Sequence, residues 1–178
     1  MTGLALSELA LSHFRSHKRA VLELDELHVP RRLQRRLRRG EFRVTFDQAF
    51  EDVIRACAAP RGEMSGTWIT ARMIDAFRRV HDLGWAHSVE VWQDARLVGG
   101  LYGMSFGGFF GAESMFHRQR DASKAAVVFL VRHLRQRGFR LLDIQQDTEH
   151  LSRMGARLIR RDDYLRRLQQ CLELPVSF

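Results

Sequence analysis

The chain has 178 residues and a mass of 20.7 kDa, with 45% hydrophobic and 28% charged residues. That length fits one domain with at most a small appendage, and that composition excludes a disordered chain, a collagen and a coiled-coil rod. Lys and Arg number 29 against 21 Asp and Glu, and the resulting net charge of +8 favours a polyanionic partner.

Residues 1–20 read as a short helix or loose arm, in which Leu4, Leu6, Leu9 and Leu11 are apolar but too few to make a core. Val29–Gly40 is the densest basic stretch. Arg31, Arg32, Arg35, Arg36, Arg38 and Arg39 surround Leu33 and Leu37, which share one helix face, and Gly40 is a natural stop. Residues 1–40 are therefore expected as an arm with a basic helix, and 41–178 as a compact domain. In Asp47–Ala58, Phe50, Val53, Ile54 and Cys57 follow the spacing of an amphipathic helix, with Thr45 or Asp47 as cap and Pro60-Arg61-Gly62 as its end. A second helix follows Thr70, with Met73, Ile74, Phe77 and Val80 inward and Gly84 as its stop. Ala86–Gln93, Leu97–Phe106 and Gly108–Met115 read as strands of a meander, turning at Asp94-Ala95-Arg96 and Gly107-Gly108. A helix over Ala122–Arg137, capped near Asp121 and closed by Gly138, leads to a buried strand at Phe139–Gln145. A short segment near His150–Met154, a strand at Ala156–Ile159 and a helix at Asp162–Leu172 complete the pattern. The expected fold is α+β, a mixed central sheet with flanking helices, in which the strand–helix–strand crossover makes two strands parallel. This order resembles the Gcn5-related N-acetyltransferase superfamily.

Polar residues interrupt the apolar strands at places suited to chemistry. Glu113 lies inside Phe-Phe-Gly-Ala-Glu-Ser-Met-Phe, where alternation would put Phe109, Gly111, Glu113 and Met115 on one face. An unpartnered carboxylate there would cost several kcal/mol, so a functional role competes with a solvated edge position. Asp143 and Gln145 are two apart on a strand and should emerge on the same face, at the carboxyl end where α/β sheets commonly bind ligands. His87 and Ser88 are adjacent and would face opposite ways, and the sequence has no nucleophile elbow. Cys57 reads as core, and no His/Cys grouping has zinc spacing. Gly99-Gly100-Leu101-Tyr102-Gly103 has neither a Walker nor a Rossmann layout, so close approach of a neighbouring strand or ligand is the simpler account. Ser114–Ser123 has no glycine, which argues against a pyrophosphate loop for coenzyme A.

Two cysteines, Cys57 and Cys171, imply no disulfide framework. No apolar run approaches the ~20 residues that cross a bilayer. Met1–Ala10 lacks the layout of a signal peptide, so a cytoplasmic protein is expected. All but two of the basic residues, Lys18 and Lys124, are arginine, whose planar fork suits phosphates and bases. GC-rich coding also raises arginine over lysine, but it does not account for the net charge.

At these motifs the chain resembles bacterial leucyl/phenylalanyl-tRNA–protein transferases. The matching blocks are GTWIT (66–70), AHSVEVW (86–92), LVGGLYG (97–103), FFGAESMF (109–116), ASKAA (122–126), LLDIQ (141–145) and HLSRMGA (150–156), with weaker similarity through LHVPRRLQRRLRRGEFRVTFDQAF (27–50). The resemblance spans about 150 residues in one order. It implies an acetyltransferase-like domain that moves leucine or phenylalanine from tRNA to proteins with N-terminal arginine or lysine, marking them for N-degron degradation. Cofactors are expected to be absent, with neither coenzyme A nor metal, and neither membrane nor DNA is an expected partner.

Site residues follow from the same resemblance. Asp143 would orient Gln145, Gln145 would contact the attacking amine, and Glu113 would face the acceptor's positive charge. Leu101, Phe110, Met115, Val127 and Leu130 would form the donor side-chain pocket. Trp68 and Phe77 would stand near the terminal adenosine; tyrosine is the common residue at position 77. Arg31, Arg32, Arg35, Arg36, Arg38 and Arg39 would grip the tRNA. The family's longer N-terminal domain, with its Gly-Ile-Phe-Pro-Trp-like segment, has no counterpart, so the resemblance is to a short form. Two other readings stay open: a tRNA-binding module without transfer activity, and tRNA-dependent acylation of a non-protein amine.

Overall fold

The computed structural model describes residues 18–60 and 67–178. Its elements in chain order are β1 (Lys18–Leu22), α1 (Arg31–Arg38), β2 (Arg43–Phe46), α2 (Phe50–Ala58), α3 (Ala71–Asp82), β3 (Ala86–Gln93), β4 (Arg96–Phe106), β5 (Phe109–His117), α4 (Ala122–Arg137), β6 (Leu141–Gln145), α5 (Glu149–Ser152), β7 (Ala156–Arg160) and α6 (Arg161–Leu172). The strands form one sheet in the order β2-β3-β4-β5-β6-β1-β7. β3, β4 and β5 are the expected antiparallel meander, and α4 carries the crossover to β6, which runs parallel to β5. Among the described residues no helix is long and apolar enough to cross a membrane.

The N-terminal part departs from expectation. Lys18–Leu22 is a strand inserted between β6 and β7, antiparallel to both, rather than the end of a loose arm. Ala20, Val21 and Leu22 are fully buried there, and three consecutive apolar residues carry no period from which a strand can be read. The division expected near residue 40 therefore cuts a sheet that runs from β1 to β7. The apolar positions Leu4 to Leu11, and the helix stop at Arg61-Gly62, lie outside the described residues. β2 also had no counterpart among the expected elements.

Asp47 is a further correction, since it does not cap α2. Its backbone is left-handed (φ 56°), and its carboxylate accepts the Ser88 N–H at 2.7 Å and sits 2.7 Å from His87 Nδ1. Thr45 does not cap α2 either. It donates to the fully buried Glu90 and accepts from Trp92 Nε1 at 2.8 Å, while Ser88 donates to the other Glu90 oxygen. These bonds fasten β2 and the start of α2 to β3. By contrast the helix expected after Thr70 does begin there, with the Thr70 side chain accepting from the Met73 N–H, and Gly84 and Gly138 close their helices with positive φ.

Alternation assigns the two faces of the sheet. Val89, Val91, Leu101, Phe110 and Leu142 pack under α4 in the main core. Tyr102 and Phe116 point the other way, under α2 and α3, and Phe109, Leu141 and Val21 pack against α6 on that same face. The β4 glycines serve close approach. A Cβ at Gly99 would stand 2.6 Å from that of Ala122 at the start of α4, and one at Gly100 would stand 2.6 Å from the Val89 carbonyl oxygen.

Glu23, just after β1, gathers Arg157 of β7 and Arg167 of α6, each donating at 2.6 Å. Burial alone would raise its pKa, but the two guanidiniums outweigh it and hold the carboxyl below the usual range. A lowered folded-state pKa contributes stability above the unfolded carboxylate value, and the contribution is lost as pH falls through the folded value. Glu23→Gln should therefore cost about 1 kcal/mol at neutral pH by urea denaturation, with the gap from wild type closing below about pH 4.

Candidate active site

On the face opposite α4, α2 and α3 stand on one side and α6 on the other, and a cavity of about 870 Å³ opens between them. Met73 and Phe77 of α3, with Thr67 and Trp68, line one wall, and Tyr164, Leu168 and Leu172 of α6 line the other. The floor holds Gly111 and Glu113 of β5, Asp143 and Gln145 of β6, and Arg19 of β1.

Asp143 is 1% exposed, and its carboxylate is filled from three directions. Arg19 Nε donates to Oδ2 at 2.8 Å, the Tyr164 hydroxyl donates to the same oxygen at 2.7 Å, and the Gln145 N–H donates to Oδ1 at 2.7 Å. Those bonds offset the several kcal/mol that a bare buried carboxylate would cost. Burial, reinforced by the Asp143 charge and hydrogen bond, pushes the Tyr164 phenol far above its ordinary pKa, with Arg19 opposing, so the hydroxyl stays protonated and donates.

Gln145 ends β6 in the left-handed region (φ 62°), a conformation costing about 1–3 kcal/mol for such a residue. The β1 register places Ala20 against Gln145 but Val21 against Asp143, so Ile144 is bulged out. Both Asp143 and Gln145 reach the cavity, as their spacing suggested, although by a bulge and a turn rather than by plain alternation. Gln145 Nε2 donates to Glu113 Oε2 at 3.0 Å. A carboxylate only accepts, so this bond fixes which way the amide faces and leaves Oε1 as its acceptor.

Glu113 owes its aim to a second bulge. Tyr102 pairs with Ser114 and Gly103 with Ala112, so Glu113 is the extra residue of β5. The bulge reverses the parity of the strand residues beyond it. Met115 packs with Phe110 in the core under α4, while Phe109 packs under α6, so the four residues expected on one face are divided between two.

This division also relocates the expected donor pocket. Leu101, Phe110, Val127 and Leu130 are fully buried in closed core across the sheet, and of the five only Met115 lines the cavity. Trp68 and Phe77 both line it, Trp68 being 43% exposed. His150 of α5 also lines the cavity. Its pKa is lowered by burial first and then by Lys124 and His117, so the ring is neutral at pH 7.

The basic helix is divided in role. Arg31, Arg32, Arg35, Arg38 and Arg39 are exposed. Arg36 is not: Nε binds Glu41 at 2.7 Å, Nη1 binds Asp121 at 3.3 Å and also donates to the Arg120 carbonyl, so it ties α1 to the start of α4. Of the six arginines expected to grip the tRNA, Arg36 is thus the half-buried one, engaged within the fold. Arg19 and Tyr164 escaped the sequence reading. Neither the pattern around Arg19 nor the amphipathic spacing of α6 marks a residue that meets Asp143 across the sheet.

The family model described as Leucyl/phenylalanyl-tRNA protein transferase matches residues 21–169. A leucyl/phenylalanyl-tRNA–protein transferase of Stutzerimonas stutzeri is 54% identical over 157 residues, covering 88% of this chain and 70% of that protein. Those of Cellvibrio japonicus (50% identical; 91% and 69% covered) and Chromohalobacter salexigens (54% identical; 89% and 62% covered) agree. The chain thus spans about two thirds of the length of these relatives. Among solved structures, L-PGS from Bacillus licheniformis superposes with a TM-score of 0.52 at 13% identity, covering 78% of this chain and 51% of that one. A GCN5-related glucosamine N-acetyltransferase region of a fungal multi-domain GH3 β-N-acetylglucosaminidase gives 0.54 at 13%, covering 88% and 22%. Likeness at that identity is one of fold, and the fold is that of GCN5-related N-acetyltransferases. Half of its residues being shared with such relatives across nearly its whole length, the chain belongs to the leucyl/phenylalanyl-tRNA–protein transferases, a family of aminoacyltransferases.

Proposed function

We propose that this chain transfers leucine or phenylalanine from its tRNA to the α-amino group of proteins beginning with arginine or lysine, in the cytoplasm, and so marks them for degradation. The observation that carries this reading is the amide of Gln145, fixed on the cavity floor by Asp143 through its backbone and by Glu113 through its side chain.

The acceptor amine attacks the carbonyl carbon of the ester that joins the amino acid to the terminal ribose. A C–N bond forms, the C–O bond to ribose breaks, one proton leaves nitrogen and the departing ribose oxygen takes up a proton. The products are a peptide bond and a tRNA with a free hydroxyl. The amine must be neutral and held in line, which an ordinary α-amino group, with a pKa near 7.7–8.0, readily allows at pH 8. Gln145 Oε1 accepts from the amine and orients its lone pair; an amide is too weak a base to keep the proton. The Glu113 carboxylate draws the cationic side chain of the acceptor to the same end of the cavity. Trp68 and Phe77 offer faces on which the terminal base stacks. Met115 meets the donor side chain, with Leu101, Phe110, Val127 and Leu130 behind it, and its flexible thioether suits both leucine and phenylalanine. The acyl group arrives already activated on tRNA, so the reaction as proposed draws on neither coenzyme A nor a metal. The exposed arginines of α1 hold phosphates of the acceptor stem.

Transfer of labelled leucine or phenylalanine from tRNA should reach a peptide beginning with arginine and not one beginning with alanine. Bound aminoacyl-tRNA without transfer would overturn the proposal and favour another acceptor or an RNA-binding role. Gln145→Ala should lower kcat by roughly 10²–10³ with little change in KM, as loss of one aligned polar contact does elsewhere. Replacing Arg35, Arg38 and Arg39 together by alanine should weaken tRNA binding and flatten the slope of log affinity against log salt by about 2–3.

A further inference from the structure

We propose that Arg19 and Tyr164 are positioning residues for this transfer, acting on the amine only through Asp143 and Gln145; the inference rests on the reading above. Three distant segments meet at one buried carboxylate: β1 supplies Arg19, α6 supplies Tyr164, and β6 supplies Asp143 itself. Their two bonds fall on Oδ2, and Oδ1 is turned to the Gln145 N–H. A carboxylate whose oxygens both accept strong donors is held in one rotamer. The direction of Oδ1 then defines where the backbone of residue 145 must lie. That backbone is in a sparsely populated conformation, which persists only where surrounding bonds over-determine it.

The arrangement also decides what Asp143 does not do. It is 1% exposed, and its oxygens are aimed at Arg19, Tyr164 and the Gln145 N–H rather than at the amine. It therefore serves as a fixed acceptor, and the proton leaves by another path. Burial and the Asp143 charge keep the Tyr164 hydroxyl protonated near neutrality, so it remains a donor there.

Arg19 and Tyr164 are not interchangeable with ordinary packing residues. The Tyr164 ring lies with Val21, Leu141, Ile159 and Cys171, contacts that phenylalanine would keep. The Arg19 guanidinium lies 5.7 Å from the centre of that ring, so each donor also orients the other.

Tyr164→Phe, which removes the hydroxyl alone, provides the test. Its kcat should fall about tenfold with KM for aminoacyl-tRNA within about twofold of wild type. Placed in a Gln145→Ala background, it should add no further loss, because the residue it acts through is gone. Arg19→Ala should behave alike, and Arg19→Lys, which keeps one charged donor, should recover part of the rate. Hydrogen exchange at the Gln145 backbone amide, followed by NMR, should quicken about tenfold in Tyr164→Phe. An unchanged kcat, or losses that multiply with Gln145→Ala, would overturn the positioning role, and unchanged exchange would overturn the lock. If the wild-type chain transfers to no acceptor, the functional reading fails while the exchange measurement still decides whether Arg19 and Tyr164 hold residue 145.

Discussion

A carboxylate buried to 1% exposure dictates much of its surroundings. Asp143 needs donors on both oxygens, and the water that would supply them is shut out by α6 and the sheet. A guanidinium, a phenol and a backbone N–H fill the need, and each comes with a structural demand. Arg19 reaches it only if β1 lies beside β6. Tyr164 reaches it only if α6 lies across that end of the sheet. The Gln145 N–H reaches it only if the chain turns left-handed at the end of the strand. The sheet order, the seat of the last helix and the shape of the cavity floor all agree with that one charge.

Much of this was legible in the sequence wherever the information was local. The meander, the crossover helix and the capped start of α3 follow from period and punctuation, and Gly99 and Gly100 read correctly as places where other chain comes close. Asp143 and Gln145 could be paired from spacing alone. The illegible part depends on partners far along the chain. Arg19 and Asp143 are 124 residues apart, and nothing near either names the other. Two bulges defeated simple alternation. One aims Glu113 at the amide and packs Met115 against the core under α4 at the edge of the cavity, so the apolar residues expected around the donor are mostly core. The resemblance located those residues, but only the register shows on which side of the sheet they lie.

Charge in α1 is divided in a similar way. A run of arginines looks uniform in sequence, yet Arg36 turns inward to Glu41 and Asp121 and its neighbours stay exposed. The inward residue fixes where the outward ones are presented. A helix with so little apolar surface has only Leu33 fully buried, and the ion pairs of Arg36 add the orientation that packing alone leaves loose.

The insertion of β1 has a consequence for how the molecule comes into being. Strands made first by the ribosome usually find a neighbour that is made soon after. Here the first described strand must wait for β6 and β7, which are made more than a hundred residues later. Closing so large a loop is slow, and until it closes the sheet ends at β6 with an unpaired edge. The guanidinium of Arg19 and the carboxylate of Asp143 therefore meet among the last events of folding. Until β6 and α6 have emerged, the cavity floor lacks Asp143 and the Tyr164 that holds it, so the chemistry must wait for segments made long after β1.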